Sequence, residues 1–326
     1  MMKEKLFDEL VDKIKGKGQS VVFPEATDER ILTAASQLSA SGILTPILIG
    51  DIKEVSQRAG EVGVDISSCQ IINPKEYTNF DLMVETFVER RKGKATKEQA
   101  RELLLNGNYF GTMLVYMNQA DGLVSGAVNS TADTVRPALQ IIKTKEGIKR
   151  TSGAFVMVRG DQRYVFADCA INISPEAEDL AEIASESAKT ARLFDIEPRV
   201  AMLSFSTKGS AKSEETEKVT DALKLAHEKD PSLIIDGEFQ FDAAFVPSIA
   251  EKKAPDSILK GDANVFTFPS LEAGNIGYKI AERLGGFEAV GPILQGLNQP
   301  VNDLSRGCNT EDVYKLALIT AAQTDV

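Results

Sequence analysis

The chain has no tryptophan, a single histidine and only three cysteines among its 326 residues. One histidine cannot build a histidine-rich metal site. His227 also stands in Lys224-Leu225-Ala226-His227-Glu228-Lys229, a polar helix end where a surface cation is favoured, so a Ser-His-Asp hydrolase is excluded too. Any catalytic base is then a carboxylate, a lysine, a tyrosine or a cysteine. Cys69, Cys169 and Cys308 are odd in number, far apart and form no C-x-x-C pair. Neither a disulfide framework nor a cysteine zinc site follows, and a reducing, cytoplasmic setting fits. No apolar run approaches the roughly 18 to 20 residues of a membrane-spanning helix. The segment Met1 to Lys17 is charged and amphipathic, without the apolar stretch of an export signal. Also missing are G-x-G-x-x-G and G-x-x-x-x-G-K-[ST], the fingerprints of a Rossmann dinucleotide site and a triphosphatase loop.

Positive charge is the scarcer sign: 37 Lys and Arg face 48 Asp and Glu, a net charge of -11. Such a chain has no general attraction for nucleic acid or for an anionic membrane. If its substrates are anions, cations must be gathered locally. Arg90-Arg91-Lys92-Gly93-Lys94 is one such place. It reads either as a solvated helix C-terminus or as a landing site for a polyanionic tail.

Short apolar runs alternate with segments of helical period, the pattern of an α/β protein with a mainly parallel sheet. Strands are expected at Ser20 to Phe23, Ile43 to Ile49, Gln70 to Ile72 and Gly122 to Gly126. Helices are expected at Asp28 to Leu38, Ile52 to Ala59, Asp81 to Arg91, Lys97 to Leu105 and Val135 to Ile142. The rhythm then changes. Ala154 to Val158 and Tyr164 to Ala167 flank Arg159-Gly160-Asp161-Gln162-Arg163 as a β-hairpin. Helices at Pro175 to Phe194, Glu214 to Glu228, Leu271 to Leu284 and Glu311 to Ala322 follow, with strands at Arg199 to Phe205, Leu233 to Asp236 and Asn264 to Phe268. The length favours two domains, with a change near residue 145. Pattern alone leaves open whether the last helix returns to the first domain.

Three stretches could carry chemistry. In Asn302-Asp303-Leu304-Ser305-Arg306-Gly307-Cys308-Asn309-Thr310-Glu311-Asp312 a loop with Ser, Arg and Gly leads into an amphipathic helix. Free N–H groups and the helix dipole favour an anion there, and Arg306 adds a planar fork suited to phosphate or an oxyanion. The plainer reading makes Asn309 an N-cap closed by Asp312 three residues on. Asn129 to Arg136 follows a strand and opens a helix, so its hydroxyls and Arg136 serve either a phosphate or ordinary capping. Ser206-Thr207-Lys208-Gly209-Ser210-Ala211-Lys212 resembles a phosphate loop without its spacing.

These residues also carry a likeness. Asp303-Leu304-Ser305-Arg306-Gly307-Cys308 with Asp312 resembles the C-terminal signature of the phosphate acetyl/butyryl transferases. So do Ser130-Thr131-Ala132-Asp133-Thr134-Val135-Arg136-Pro137, Leu203 to Lys212, Asp236 to Ala244 and Gly274 to Ala281, in order over nearly the whole chain from Phe23-Pro24-Glu25. The details resemble the acetyl branch, in a short form without N-terminal regulatory domains.

The resemblance implies a two-domain α/β sandwich like that of isocitrate and isopropylmalate dehydrogenases, with a cleft between domains and a homodimeric state. It implies residues 1-145 plus 293-326 as a discontinuous first domain and 146-292 as the second. The implied activity is reversible acetyl transfer between acetyl phosphate and coenzyme A. Coenzyme A is then a substrate, and no metal or resident cofactor is called for. Carried over, Asp312 resembles the base that deprotonates the thiol, Arg306 the group that stabilises charge on the carbonyl, and Ser305 a positioning residue. Arg91 and Arg136 match coenzyme A contacts, with Arg90 adjacent to the first. Ser130, Thr131, Asn275 and Tyr278 are the expected contacts to acetyl phosphate.

Four rivals stay in view. Butyryl phosphate could be the substrate, since one methylene is worth only about 1–3 kcal/mol. Cys308 could form an acetyl-cysteine. A metal- and NAD(P)-dependent hydroxy-acid dehydrogenase of related fold could use Asp236, Glu238 and Asp242, although no dinucleotide signature accompanies them. A non-catalytic acyl-phosphate or coenzyme A binder would leave Ser305, Arg306 and Asp312 without a joint purpose.

Overall fold

Strand and helix alternate from the start of the structure, a computed structural model that describes residues 2–325 and the side chains of 6–325. The chain separates into two compact units, one of Glu4–Lys145 joined by the segment from Leu297 onward, the other of Glu146–Gly296.

The first unit opens with α1 (Met2–Ile14), β1 (Ser20–Phe23), α2 (Glu29–Ser41), β2 (Thr45–Ile49), α3 (Ile52–Val62) and β3 (Gln70–Ile72). Asp28 caps α2 by accepting the Arg30 N–H, and Gly42 ends it at φ 65°. Asp51 and Gly63 do the same for α3. At both helix ends glycine enters the left-handed region at no steric cost. Next come α4 (Phe80–Arg91), α5 (Lys97–Leu103), α6 (Gly107–Tyr116), β4 (Gly122–Ser125) and α7 (Thr131–Pro137), which runs on into a π-turn at Ala138–Ile142.

In the second unit β5 (Ser152–Arg159) and β6 (Gln162–Ala167) form the expected hairpin about Gly160-Asp161. They are followed by α8 (Ala177–Leu193), β7 (Val200–Leu203), α9 (Glu214–Lys229), β8 (Ile235–Phe239), α10 (Phe241–Phe245), α11 (Pro247–Lys253), β9 (Val265–Thr267), α12 (Leu271–Arg283) and β10 (Glu288–Gln295). The order of this six-stranded sheet is β10-β5-β6-β9-β7-β8. β10 and β6 lie antiparallel to β5, and the remaining pairs are parallel. The chain then re-enters the first unit through β11 (Val301–Asp303) and α13 (Thr310–Ala322).

The first unit's sheet is all parallel in the order β11-β4-β1-β2-β3. Its centre is dry: Val21, Val22, Phe23, Leu123 and Val124 have no exposed surface. α13 buries every residue from Leu316 to Ala322 and packs on α2 and β4. From β1 the order runs to β2 on one side and to β4 on the other. The β1/β4 seam is therefore the switch point of the sheet, and ligands of open α/β sheets bind outside the carboxyl ends of such strands.

Several elements, α10, α11 and β10 among them, have no counterpart in the sequence expectations, and three further departures concern α6, α7 and β11. α6 is added, because residues 110–115 are all buried and a helix apolar on every side shows no period. The helix expected at Val135 begins at Thr131, capped by Ser130. β11 is a strand where a loop was expected. Asn302 and Asp303 are poor strand formers, yet they lie in register with Val124 and Ser125.

Candidate active site

Three loops leave the carboxyl ends of β1, β4 and β11 in the first unit. The carboxylate of Glu25, buried just beyond β1, organises the loop after β4. It accepts the N–H groups of Gly126 (3.0 Å), Ala127 (2.9 Å), Val128 (2.9 Å) and Asn129 (2.7 Å). A negative charge with four backbone donors leaves that loop little freedom. Gly126 is required there. Its φ is 112°, and a Cβ would lie 2.6 Å from the Leu304 carbonyl oxygen and 2.7 Å from the Leu304 nitrogen. The loops after β4 and β11 thus touch backbone to backbone.

The β11 loop carries Ser305 and Arg306. The Cys308 N–H donates to the Ser305 carbonyl (2.9 Å) and the Gly307 N–H to Ser305 Oγ (3.2 Å), a tight turn directly before α13. Among the described residues no group pairs with the Arg306 guanidinium, which stands exposed. At the start of α13 the Asn309 N–H donates to Asp312 Oδ2 (2.9 Å) and the Asp312 N–H to Asn309 Oδ1 (3.0 Å). The capping reading of Asp312 is therefore realised. It uses one carboxylate oxygen and leaves Oδ1 without a partner among the described residues.

Cys308 lies beneath this turn. Burial pushes its thiol up to about 11 against the pull of Arg30, with Asp312, Asp28 and Glu25 adding to the rise. Asp303, 4% exposed at the end of β11, is another buried acid. Burial raises its carboxyl above the ordinary range, the facing Thr131 and Thr134 hydroxyls pull against this, and its Oδ1 has no hydrogen-bond partner among the described residues.

Ser130 opens α7 in a reciprocal cap: its Oγ donates to Asp133 Oδ2 (2.7 Å) and accepts the Asp133 N–H (3.3 Å). Arg136 is exposed on the same short helix, with no hydrogen bond or ion pair among the described residues. The neighbours Arg90 and Arg91 differ. Arg90 donates to the carbonyls of Ile141 (2.6 Å) and Ile142 (3.0 Å) and covers the Tyr116 ring at 4.8 Å, whereas Arg91 has no such partner among the described residues. Lys143 joins this cluster. Its ammonium is pushed below the ordinary lysine value by burial and then by the charges of Arg90, Lys92, Arg91 and Lys94. Nothing in the sequence marks Lys143 as their neighbour.

The other expected site residues lie in the second unit. Asn275 Nδ2 donates to the Cys169 carbonyl (3.1 Å), and the Tyr278 ring stacks on Phe155 at 4.1 Å. Burial, with Glu282 nearby, raises the Tyr278 phenol above its usual value. The phosphate-like loop is filled from within: Glu238 Oε1 accepts the Ser206 hydroxyl (2.8 Å) and the Gly209 N–H (2.8 Å). Asp236 pairs with Lys208, and Asp242 with Lys253 at 3.0 Å. The three carboxylates considered for a dehydrogenase thus each have a separate partner. Among the described residues no three His, Cys, Asp or Glu side chains are grouped to hold a metal ion. The second unit also has an apolar pocket of about 450 Å³ lined by Tyr164, Phe166, Phe241, Phe245, Phe266 and Phe287; α12 borders it through Gly277, Ile280 and Ala281, and neither Asn275 nor Tyr278 lines it.

Comparison with known proteins gives this geometry a context. Residues 5–321 match the family model described as phosphate acetyl/butaryl transferase. A phosphate acetyltransferase of Bacillus subtilis is 70% identical over 318 residues, 98% of each chain. The crystal structure of a phosphotransacetylase from Streptococcus pyogenes superposes with a TM-score of 0.98 at 59% identity, covering 100% of this chain and 99% of that one. A Salmonella typhimurium protein described as a 4-hydroxythreonine-4-phosphate dehydrogenase shares the fold alone, with a TM-score of 0.56 at 12% identity over 93% of this chain and 99% of that one.

Proposed function

Because the chain belongs to the phosphate acetyl/butaryl transferase family, we propose that it is an acyltransferase that moves acetyl reversibly between acetyl phosphate and coenzyme A. The observation that carries the reading is the turn between β11 and α13. It presents, among the described residues, an unpaired guanidinium at Arg306, a hydroxyl at Ser305 and a free carboxylate oxygen at Asp312.

In the proposed reaction Asp312 Oδ1 takes the proton of the coenzyme A thiol as sulfur attacks the acetyl carbonyl carbon. Carboxylates are generally several pKa units more acidic than thiols, so proton removal and C–S bond formation proceed together. The carbonyl oxygen becomes an oxyanion, held by the Arg306 guanidinium and the Ser305 hydroxyl. One such donor is worth about 3–4 kcal/mol in a transition state. Collapse of the tetrahedral species breaks the C–O bond to phosphorus and releases inorganic phosphate. Coenzyme A is a substrate here, and the scheme requires no metal or resident cofactor.

Arg91 rather than Arg90 is the proposed coenzyme A contact, since Arg90 is already committed to two backbone carbonyls. Arg136 is the second. Ser130 and Thr131 approach acetyl phosphate from the start of α7. Asn275 and Tyr278 have packing and hydrogen-bonding tasks within their own unit, so the proposal rests on the residues of the first unit.

The high thiol pKa of Cys308 opposes a covalent acetyl-cysteine route. With a value of about 11, only about one thiol in ten thousand is ionised at neutral pH. No helix among the described residues is long and apolar enough to cross a membrane, and the reading places the enzyme in the cytoplasm. A homodimer is also proposed, with α12 as its contact face. Ile276, Ile280 and Leu284 form an exposed apolar stripe at helical spacing, and Leu284 is 86% exposed.

Thioester formation from acetyl phosphate and coenzyme A, with butyryl phosphate in parallel, tests the assignment. Turnover of acetyl phosphate well above that of butyryl phosphate is expected, and the reverse order would move the chain to the butyryl branch.

A further inference from the structure

Arg30 was not among the residues singled out by sequence. It stands in the first turn of α2, and its guanidinium is surrounded by groups from three separate loops. Nε donates to Asp28 Oδ1 (3.0 Å) and Nη2 to Asp28 Oδ2 (2.9 Å), a bidentate pair that fixes the plane of the fork. Nη2 also donates to the Ala127 carbonyl (2.8 Å), and Nη1 to the carbonyls of Arg306 (2.9 Å) and Cys308 (3.0 Å).

A guanidinium has five N–H groups. Here each has an oxygen to meet: two from Asp28 and one each from residues 127, 306 and 308. Two of those carbonyls belong to the turn that presents Ser305 and Arg306, and one of them is the carbonyl of Arg306 itself. The third lies in the loop that Glu25 orders ahead of Ser130. Burial works to raise the Asp28 carboxyl, but its hydrogen bonds and charge contact with Arg30 hold it below the usual carboxylate range, so this pair is charged at neutral pH.

We propose that Arg30 is a positioning residue for the transfer reaction, tying the backbone of Arg306 to the loops after β1 and β4 so that the Arg306 side chain is aimed before substrate arrives. The inference rests on the reading of Arg306 given above. It requires an arginine: a lysine ammonium has three donors and no planar fork, so it cannot hold Asp28 and three carbonyls at once. A misplacement of about 1 Å at a reacting group can cost roughly 100-fold in rate. A tilt of the Arg306 carbonyl of that size is what release of the Nη1 contacts would permit.

The test is a double-mutant cycle on kcat with Arg30→Lys, Arg306→Ala and the double variant, run well below the unfolding midpoint of each protein. Arg30→Lys is expected to lower kcat roughly 10- to 100-fold when Arg306 is present and to add little when Arg306 is already alanine. Asp28→Asn supplies a variant in which folding is protected, because asparagine is as good an N-cap as aspartate. It should stay folded at the assay temperature, with an unfolding midpoint lowered only by loss of the charge contact, while kcat falls because the fork loses its charged anchor. Wild-type kcat in Arg30→Lys would overturn the inference. So would losses that simply multiply in the double variant, because Arg30 would then act independently of Arg306. Unchanged kcat in Arg306→Ala would instead remove the role assigned to Arg306, a failure of the underlying reading that the cycle separates from the other two.

Discussion

Cys308 and Asp312 are four residues apart in the chain, and their environments differ. The thiol is buried and pushed up to about 11, while the carboxylate is exposed at a helix start with one oxygen free of partners among the described residues. Replacing Cys308 with alanine is accordingly expected to leave turnover near wild type, measured as initial rates of thioester formation. Asp303 is the second buried acid of this turn, and its consequence is a pH effect on stability. Its folded-state pKa is raised, so below the ordinary aspartate value near 4 the folded and unfolded chains both carry the proton and no ionisation cost weighs on the fold. As pH rises past that value the wild type must ionise a buried carboxyl. Asp303→Asn is therefore expected to unfold at a higher temperature than wild type at neutral pH, with the gap closing towards about pH 4. Thermal melts of both proteins across pH check this. At this scale Ser305, Arg306, Asp312 and Arg136 were legible as residue types in a recognisable pattern. Arg30 and Glu25 were not, because their meaning lies in contacts to residues 276 and 101 positions away in the chain.

The three loops owe their shape to the elements they connect. Each follows a strand of the parallel sheet, and those after β4 and β11 each end in a capped helix, α7 by Ser130 and Asp133, α13 by Asn309 and Asp312. Capping pairs are short-range and could be read from sequence for α13, where Asn309 and Asp312 were considered as such. The three-residue strand β11 could not, since its pairing with β4 joins residues that are far apart in the chain. Glu25 is the most exposed of these arrangements to a single change. Glu25→Ala leaves the N–H groups of residues 126–129 without their acceptor, and hydrogen bonds to a charged group are worth about 1.5–3 kcal/mol each. A loss of about 3 kcal/mol or more in urea unfolding is expected. Slower turnover should accompany it, because the same loop leads to Ser130 and Arg136.

Over the whole molecule the acidic balance and the substrate chemistry pull in opposite directions. A chain of net charge -11 that takes anionic substrates has to concentrate its cations locally, and Arg90, Arg91, Lys92, Lys94 and Lys143 are neighbours within the first unit. Sequence marked the run from Arg90 to Lys94, and folding adds Lys143 to it. The alternation of strands and helices carried the α/β class, and the likeness at low identity to a dehydrogenase-like structure agrees with the fold expected from the family resemblance. The assembly is tested apart from the chemistry. Ile280→Asp combined with Leu284→Glu is expected to convert a dimer into a monomer in light scattering, and a monomeric wild type would contradict the proposed α12 contact.

The central claim is direct, base-assisted transfer by the β11–α13 turn. Its most direct test is the initial rate of acetyl-coenzyme A formation for wild type, Asp312→Asn and Cys308→Ala under identical conditions. Fast wild-type turnover, a fall of roughly 100- to 10,000-fold in kcat for Asp312→Asn and a near-normal rate for Cys308→Ala are the expected result. A near-normal Asp312→Asn together with an inactive Cys308→Ala would contradict the account and transfer the chemistry to the thiol.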